Sequence, residues 1–162
     1  TGLRFFTVYG PWGRPDMALF KFTKNILEDK EIDVYNNGNH SRDFTYVDDI
    51  VEGIYLSSIS KKELIDSNFD SKDPSRSFCK SIIFNLGRGK PENLEDFIVE
   101  IERNLGKKAK RNLMPLQPGD VPDTSADISG LKDFSGYEPK TSIKIGVKNF
   151  IDWYKEYYRV DL

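Results

Sequence analysis

Gly2-Leu3-Arg4-Phe5-Phe6-Thr7-Val8-Tyr9, followed by Gly10-Pro11-Trp12-Gly13-Arg14-Pro15-Asp16, is the stretch on which the fold turns. Its first eight residues are dense in β-branched and aromatic side chains, the composition of a buried strand, and Gly10-Pro11 closes the strand into a loop. Beyond the loop, Leu19, Phe22, Ile26 and Leu27 fall on one side of a helix that Asp29 and Lys30 end. Ile32 to Tyr35 then reads as a short strand and Asn36-Asn37-Gly38-Asn39 as a turn.

The same alternation runs through the rest of the chain. Extended residues from Arg42 to Thr45 enter a helix whose apolar set is Val47, Ile50, Val51, Ile54 and Tyr55. Ser57 to Ser77 is polar, and Asp66 to Ser75 reads as a long surface loop. Ser81 to Leu86 is a strand that meets Gly87-Arg88-Gly89. A helix follows, with Leu94, Phe97, Ile98, Ile101 and Leu105 on one face and Gly106 placed to cap it. Ala109 to Leu116 is strand-like, and Gln117 to Thr124 is a loop rich in proline and glycine. The last helix can be capped by Thr141 or Ser142 and carries the stripe Val147, Phe150, Ile151, Tyr154 and Tyr158. Strands separated by helices imply a mixed α/β fold with strands parallel in part. There is no internal repeat or low-complexity tract.

The chain has 162 residues, 38% of them hydrophobic, and no apolar run near the roughly 18 to 20 residues that a membrane helix needs. Its formal charge of −2, from 24 basic and 26 acidic residues, gives no field to attract nucleic acid or an anionic membrane, so any anion must be held by local residues. Cys79 stands alone, which excludes an internal disulfide and fits a reducing, cytoplasmic compartment. Asn39-His40-Ser41 matches a glycosylation sequon, which that compartment leaves unused. The start has neither a secretory signal nor an initiating methionine, so the chain is expected to begin mid-protein.

Some loops spend unusual residues. Gly10 to Asp16 lies beyond a buried strand, where α/β proteins bind ligands; by composition alone an ordinary structured loop fits equally. Arg42 lies between a tight turn and a helix, where its guanidinium fork can hold a phosphate or pair with Asp43 or Asp48. Gly87-Arg88-Gly89-Lys90-Pro91-Glu92 imitates a dinucleotide fingerprint but has Glu92 in place of the third glycine, so it reads as a tight strand-to-helix connection. Lys107-Lys108-Ala109-Lys110-Arg111 reads as a solvated edge, and His40 receives no role. No tyrosine has a lysine four residues on.

Taken together, residues 2–18, Ser41-Arg42-Asp43-Phe44-Thr45-Tyr46-Val47-Asp48-Asp49-Ile50 and Pro115-Leu116-Gln117-Pro118-Gly119-Asp120-Val121-Pro122-Asp123-Thr124 resemble the extended short-chain dehydrogenase/reductase family. More narrowly, they resemble its UDP-glucuronate 4-epimerases, isomerases of capsule and envelope polysaccharide synthesis. The resemblance covers nearly the whole chain. It implies that residues 1–162 are the carboxyl-terminal, substrate-binding part of a Rossmann-type enzyme, with one or two strands of the Rossmann sheet edge (Gly2–Tyr9 and Ser81–Leu86). The amino-terminal half, with the NAD site, the glycine fingerprint and the Tyr-x-x-x-Lys pair, is expected to be missing. This chain alone should then be inactive, and it should expose surfaces that pack on that half or on a second copy.

The resemblance also implies duties by position. Thr7 helps to seat the sugar carboxylate, Arg14 lies near the sugar nucleotide, Tyr35 packs against uracil and Arg42 clamps the pyrophosphate. Gln117 replaces a second phosphate-binding arginine of galactose-type epimerases, Asp120 contacts ribose, and Arg88 is a further candidate at a strand end. The implied reaction is transient oxidation at C4 of UDP-glucuronate, with NAD carrying the hydride and UDP-galacturonate as product. A related dehydratase or decarboxylase, or a non-catalytic remnant binding a nucleotide sugar or a partner subunit, remain the alternatives.

Overall fold

The computed structural model describes residues 1–61, 74–75 and 81–160. The predicted first strand is one extended run serving two partners: β1 (Gly2–Phe5) pairs in parallel with β6 (Ile83–Leu86), and β2 (Thr7–Tyr9) pairs in parallel with β5 (Phe44–Tyr46). Phe6 joins the two pieces and donates its amide to the carbonyl of Leu86 at 3.0 Å. β3 (Glu31–Val34) pairs in parallel with β8 (Lys110–Leu113). Two short strands that hydropathy does not reveal, β4 (Ser41–Arg42) and β7 (Glu92–Asn93), pair antiparallel. The expectation of a mixed α/β fold with partly parallel strands therefore holds. The expected surface loop over Asp66 to Ser75 lies almost wholly outside the described residues.

Five helices connect the strands in the described part: α1 (Ala18–Leu27), α2 (Val47–Ile59), α3 (Leu94–Leu105), α4 (Ser129–Ser135) and α5 (Ile143–Tyr158). Three follow the sequence periodicity closely. Gly106 caps α3 in the left-handed conformation, and the Ser142 hydroxyl accepts from the Ile145 amide at the start of α5. Helix α4 shows no apolar stripe in the sequence, because it contributes only Leu131 to the buried core. Among the described residues no helix is long and apolar enough to cross a membrane.

Two hydrophobic clusters result. The larger gathers α1, α3 and α5 around Tyr9, Ile32, Phe44, Phe97 and Phe150. The smaller lies under α2 and α4, around Ile50, Phe84, Leu86, Leu131 and Tyr137. Helix α2 departs from the simple reading of its stripe. Of the five residues of that stripe only Ile50 is buried, whereas Val51, Ile54 and Tyr55 are exposed. The side turned inward carries Gly53, where an added Cβ would come within 2.5 Å of Leu86 Cδ1, and Asp49, whose carboxylate accepts the amides of Lys140 and Thr141 at 3.2 and 3.0 Å. A polar anchor and a close approach set the orientation of α2, and hydropathy reports neither.

Candidate functional site

The loop between β2 and α1 borders a cleft of about 780 Å³ lined by residues 5–14 with Met17, Val47 and Thr124. Its backbone is tightly set. Gly10 has φ of 143°, and a Cβ there would lie 2.7 Å from Val47 Cγ1, so no larger residue fits. Arg14 donates to Asp16 through Nε at 3.0 Å and Nη2 at 2.5 Å. That guanidinium holds the Asp16 carboxyl down at about 2. Thr7 and Arg14 thus share one cleft. Tyr9 behind them is buried, and its phenol pKa is pushed up by desolvation.

A second centre forms where the loop 117–124 straps across β4. Ser41 exchanges backbone hydrogen bonds with Pro122 and Thr124, and its hydroxyl donates to Asp123 Oδ1 at 2.6 Å. Arg42 donates through Nη1 to the carbonyls of Ser41 and Pro122 at 3.0 and 2.8 Å, and through Nη2 to Asp120 Oδ1 at 2.9 Å. The buried ring of His40 meets the Pro122 carbonyl at 3.2 Å through Nδ1, and its Nε2 stands 3.8 Å from Asp120 Oδ2. Arg42 and Asp120, far apart in sequence, are therefore ion-paired neighbours. Of the five guanidinium N–H groups, those not spent on these partners remain for an anion, and the side chain is 18% exposed.

Asp43, which the sequence offered only as an ion-pair partner for Arg42, fixes this centre from beneath. Its carboxylate is fully buried. Oδ1 accepts the Arg88 amide at 2.7 Å and the Thr45 hydroxyl at 3.1 Å, and Oδ2 accepts the Gly89 and Ala126 amides, both at 2.9 Å. One side chain thus ties β4 and β5 to the turn after β6 and to Ala126, just beyond the strap. The signal available in sequence was an aspartate inside an otherwise apolar extended run, Asp43-Phe44-Thr45-Tyr46, facing a glycine-rich turn.

The remaining candidates are dispersed. The Arg88 side chain pairs with Glu92, the residue opposite Arg42 across the β4–β7 ladder. Tyr35 lines a separate cavity of about 220 Å³ with Asp16, Ala18, Lys21, Phe22, Asn25 and Asp33. Gln117 is exposed on the strap, where its carbonyl accepts the Asp120 amide at 3.1 Å. The turn 87–92 does not cradle a dinucleotide, because the amides of Arg88 and Gly89 already serve the Asp43 carboxylate and Glu92 adds negative charge beside them. The described residues therefore do not fit NAD at this fingerprint-like turn.

Residues 1–65 match the NAD dependent epimerase/dehydratase family. The chain is 54% identical over 162 residues to protein CapI of Staphylococcus aureus, covering 98% of this chain and 48% of CapI. It is 45% identical over 163 residues to UDP-glucuronate 4-epimerase 2 of Arabidopsis thaliana, covering 98% of this chain and 37% of that protein. Among solved structures it is similar to the UDP-glucuronic acid 4-epimerase of Bacillus cereus in complex with UDP-glucuronic acid and NAD. The TM-score is 0.80 at 34% identity, covering 96% of this chain and 45% of the other. The chain spans about half the length of the curated relatives that it matches first.

Proposed function

We propose that residues 1–162 form the sugar-nucleotide-binding portion of an NAD-dependent UDP-glucuronate 4-epimerase of capsule or envelope polysaccharide synthesis, acting in the cytoplasm. The observation that carries this reading is the likeness, across 96% of this chain, to an epimerase held with UDP-glucuronic acid and NAD. NAD is bound, on this reading, by an amino-terminal Rossmann half, against which the exposed Val51, Ile54 and Tyr55 of α2 pack.

The roles proposed for this chain are those of grip. Arg42 holds the diphosphate with the N–H groups left over from Asp120 and the two carbonyls, and Asp120 holds the ribose next to it. Thr7 seats the sugar carboxylate, Arg14 guards the same cleft, and Tyr35 packs on the uracil. Gln117 and Arg88 are minor contributors at the edge of the phosphate site. Binding energy concentrated on the nucleotide leaves the sugar free to turn over between the two halves of the reaction, because the grip is remote from the reacting carbon. Self-association through the exposed apolar faces is part of the same proposal, read out as a concentration-dependent size in solution.

Calorimetric titration with UDP-glucuronate and with UDP, alongside Arg42→Ala, tests the reading. Both ligands should bind the parent chain and lose most of their affinity in the variant, since a charge-assisted, bidentate phosphate contact contributes about 2 kcal/mol or more. Binding of either ligand to Arg42→Ala at undiminished affinity would remove Arg42 from the site.

A further inference from the structure

We propose that Trp12 is the aromatic wall on which the pyranose ring of the sugar nucleotide lies; this assignment rests on the sugar-nucleotide reading above. Trp12 occupies a left-handed backbone conformation, φ 62°, which bulky side chains rarely adopt and which here turns the indole outward. The loop holds it there: the Gly13 amide donates to the Gly10 carbonyl at 3.2 Å, and the Met17 amide donates to that of Arg14 at 3.1 Å. The indole leans on Trp153 at 5.3 Å between ring centroids and 53° between planes, and on Tyr157 at 5.1 Å and 76°. Neither partner lies flat against it, and Trp12 remains 73% exposed. A tryptophan is usually mostly buried. This one is instead braced from the side with a face left open, and it lines the cleft that Thr7 and Arg14 share.

The chemistry of that face selects the ligand part. The π-system of an indole is negative over its face and attracts weakly positive C–H groups. A pyranose offers such groups on its face: C3–H and C5–H are axial on one side of the ring in both C4 epimers, the side opposite the 4-hydroxyl where that hydroxyl is axial. A planar base would stack as well, but Tyr35, the aromatic proposed for uracil, lines another cavity. Trp12 shares its loop with Arg14 and its cleft with Thr7, the residues proposed for the sugar end. A ring pressed on an indole can still turn in plane or lift away. The wall therefore limits where the sugar goes without hydrogen-bonding any one hydroxyl, which suits a site that must accept both C4 epimers.

Trp12 and Trp153 are the two tryptophans of the chain, so fluorescence reads each separately. Trp153 Nε1 is buried with no hydrogen-bond partner among the described residues, so Trp153→Phe breaks no hydrogen bond there, keeps an aromatic ring beside Trp12 and leaves Trp12 as the sole tryptophan, read by excitation that passes over the tyrosines. Trp12→Phe is the converse control. Each variant is titrated with UDP-glucuronate and with UDP, with calorimetry run in parallel. The expected result is an emission change in Trp153→Phe that saturates with the calorimetric curve for UDP-glucuronate and does not occur with UDP, while Trp12→Phe is silent to both. Trp12→Ala should weaken UDP-glucuronate roughly tenfold, the size of an aromatic contact, and leave UDP unchanged. UDP-glucuronate binding that leaves Trp12 emission unaltered overturns the assignment alone, and so does an equal response to UDP, which would give the indole to the base. No heat with either ligand overturns the sugar-nucleotide reading and this assignment with it.

Discussion

Replacing Asp43 should cost more stability than any surface charge in the chain, and the structure gives the size of the loss. In Asp43→Ala the amides of Arg88, Gly89 and Ala126 lose their acceptor at once. A buried N–H left unpaired costs about 1–3 kcal/mol, and water entering the vacated space recovers part of it, so a net loss of about 3–5 kcal/mol is expected. Asp43→Asn separates the contributions. With its NH₂ on the Oδ1 side, the Thr45 hydroxyl can turn to accept, and only the Arg88 amide is orphaned; the other orientation would set two donors against the NH₂. The expected cost is then about 1.5–3 kcal/mol, one charge-assisted bond. Urea unfolding followed by circular dichroism measures both, as a lower midpoint with unchanged slope. Two variants within about 0.5 kcal/mol of the parent, the range of ordinary surface substitutions, would refute the view of Asp43 as the tie among three segments.

Other consequences are shorter. Gly146→Ala should destabilise despite alanine's helix propensity, because the new Cβ would lie 2.7 Å from Cε2 and Cζ of the buried Tyr9; a Tm raised by this change would show that α5 shifts freely. Glu102 is pushed up by burial, but hydrogen bonds from Lys108, the Ala109 amide and Arg111 outweigh that and lower its pKa below the ordinary value of 4.5. A carboxylate with a lowered folded pKa contributes stability above the unfolded value and loses it as pH falls through the folded one. Unfolding free energy should therefore fall on acidification below about pH 4.5, less steeply in Glu102→Gln; parallel pH profiles would exclude the Glu102 cluster as a source of acid sensitivity.

The elements that periodicity encodes were readable in the sequence. Helices α1, α3 and α5 repeat apolar residues at the helical spacing because each presents one face to a single core. The extended run at residues 2–9 was readable as a strand, but its change of partner at Phe6 was not, since pairing depends on where residues 44–46 and 83–86 arrive. The loop 117–124 was visible as a loop, whereas its closure over Arg42 depends on Asp120, Pro122 and Asp123 meeting residues some eighty positions earlier. Tyr35 and Arg14 lay on neighbouring segments in sequence terms, yet β3 and the short turn after it carry Tyr35 to a different cavity. Hydropathy was silent on Asp43 and Asp49, because their value lies in backbone amides contributed by remote turns.

The divided run of β1 and β2 also bears on the order in which the molecule can assemble. β2 can be completed once residues 44–46 have been synthesised, but β1 must wait for residues 83–86, and β3 for residues 110–113. Such distant pairings must bear the loop-closure entropy before they return any contact, which slows folding. During synthesis at the ribosome, β1 would therefore lack its β6 neighbour until residues 83–86 have been made. The polar tract from Ser57 to Ser77, set between the two partners, is well suited to keep that interval soluble.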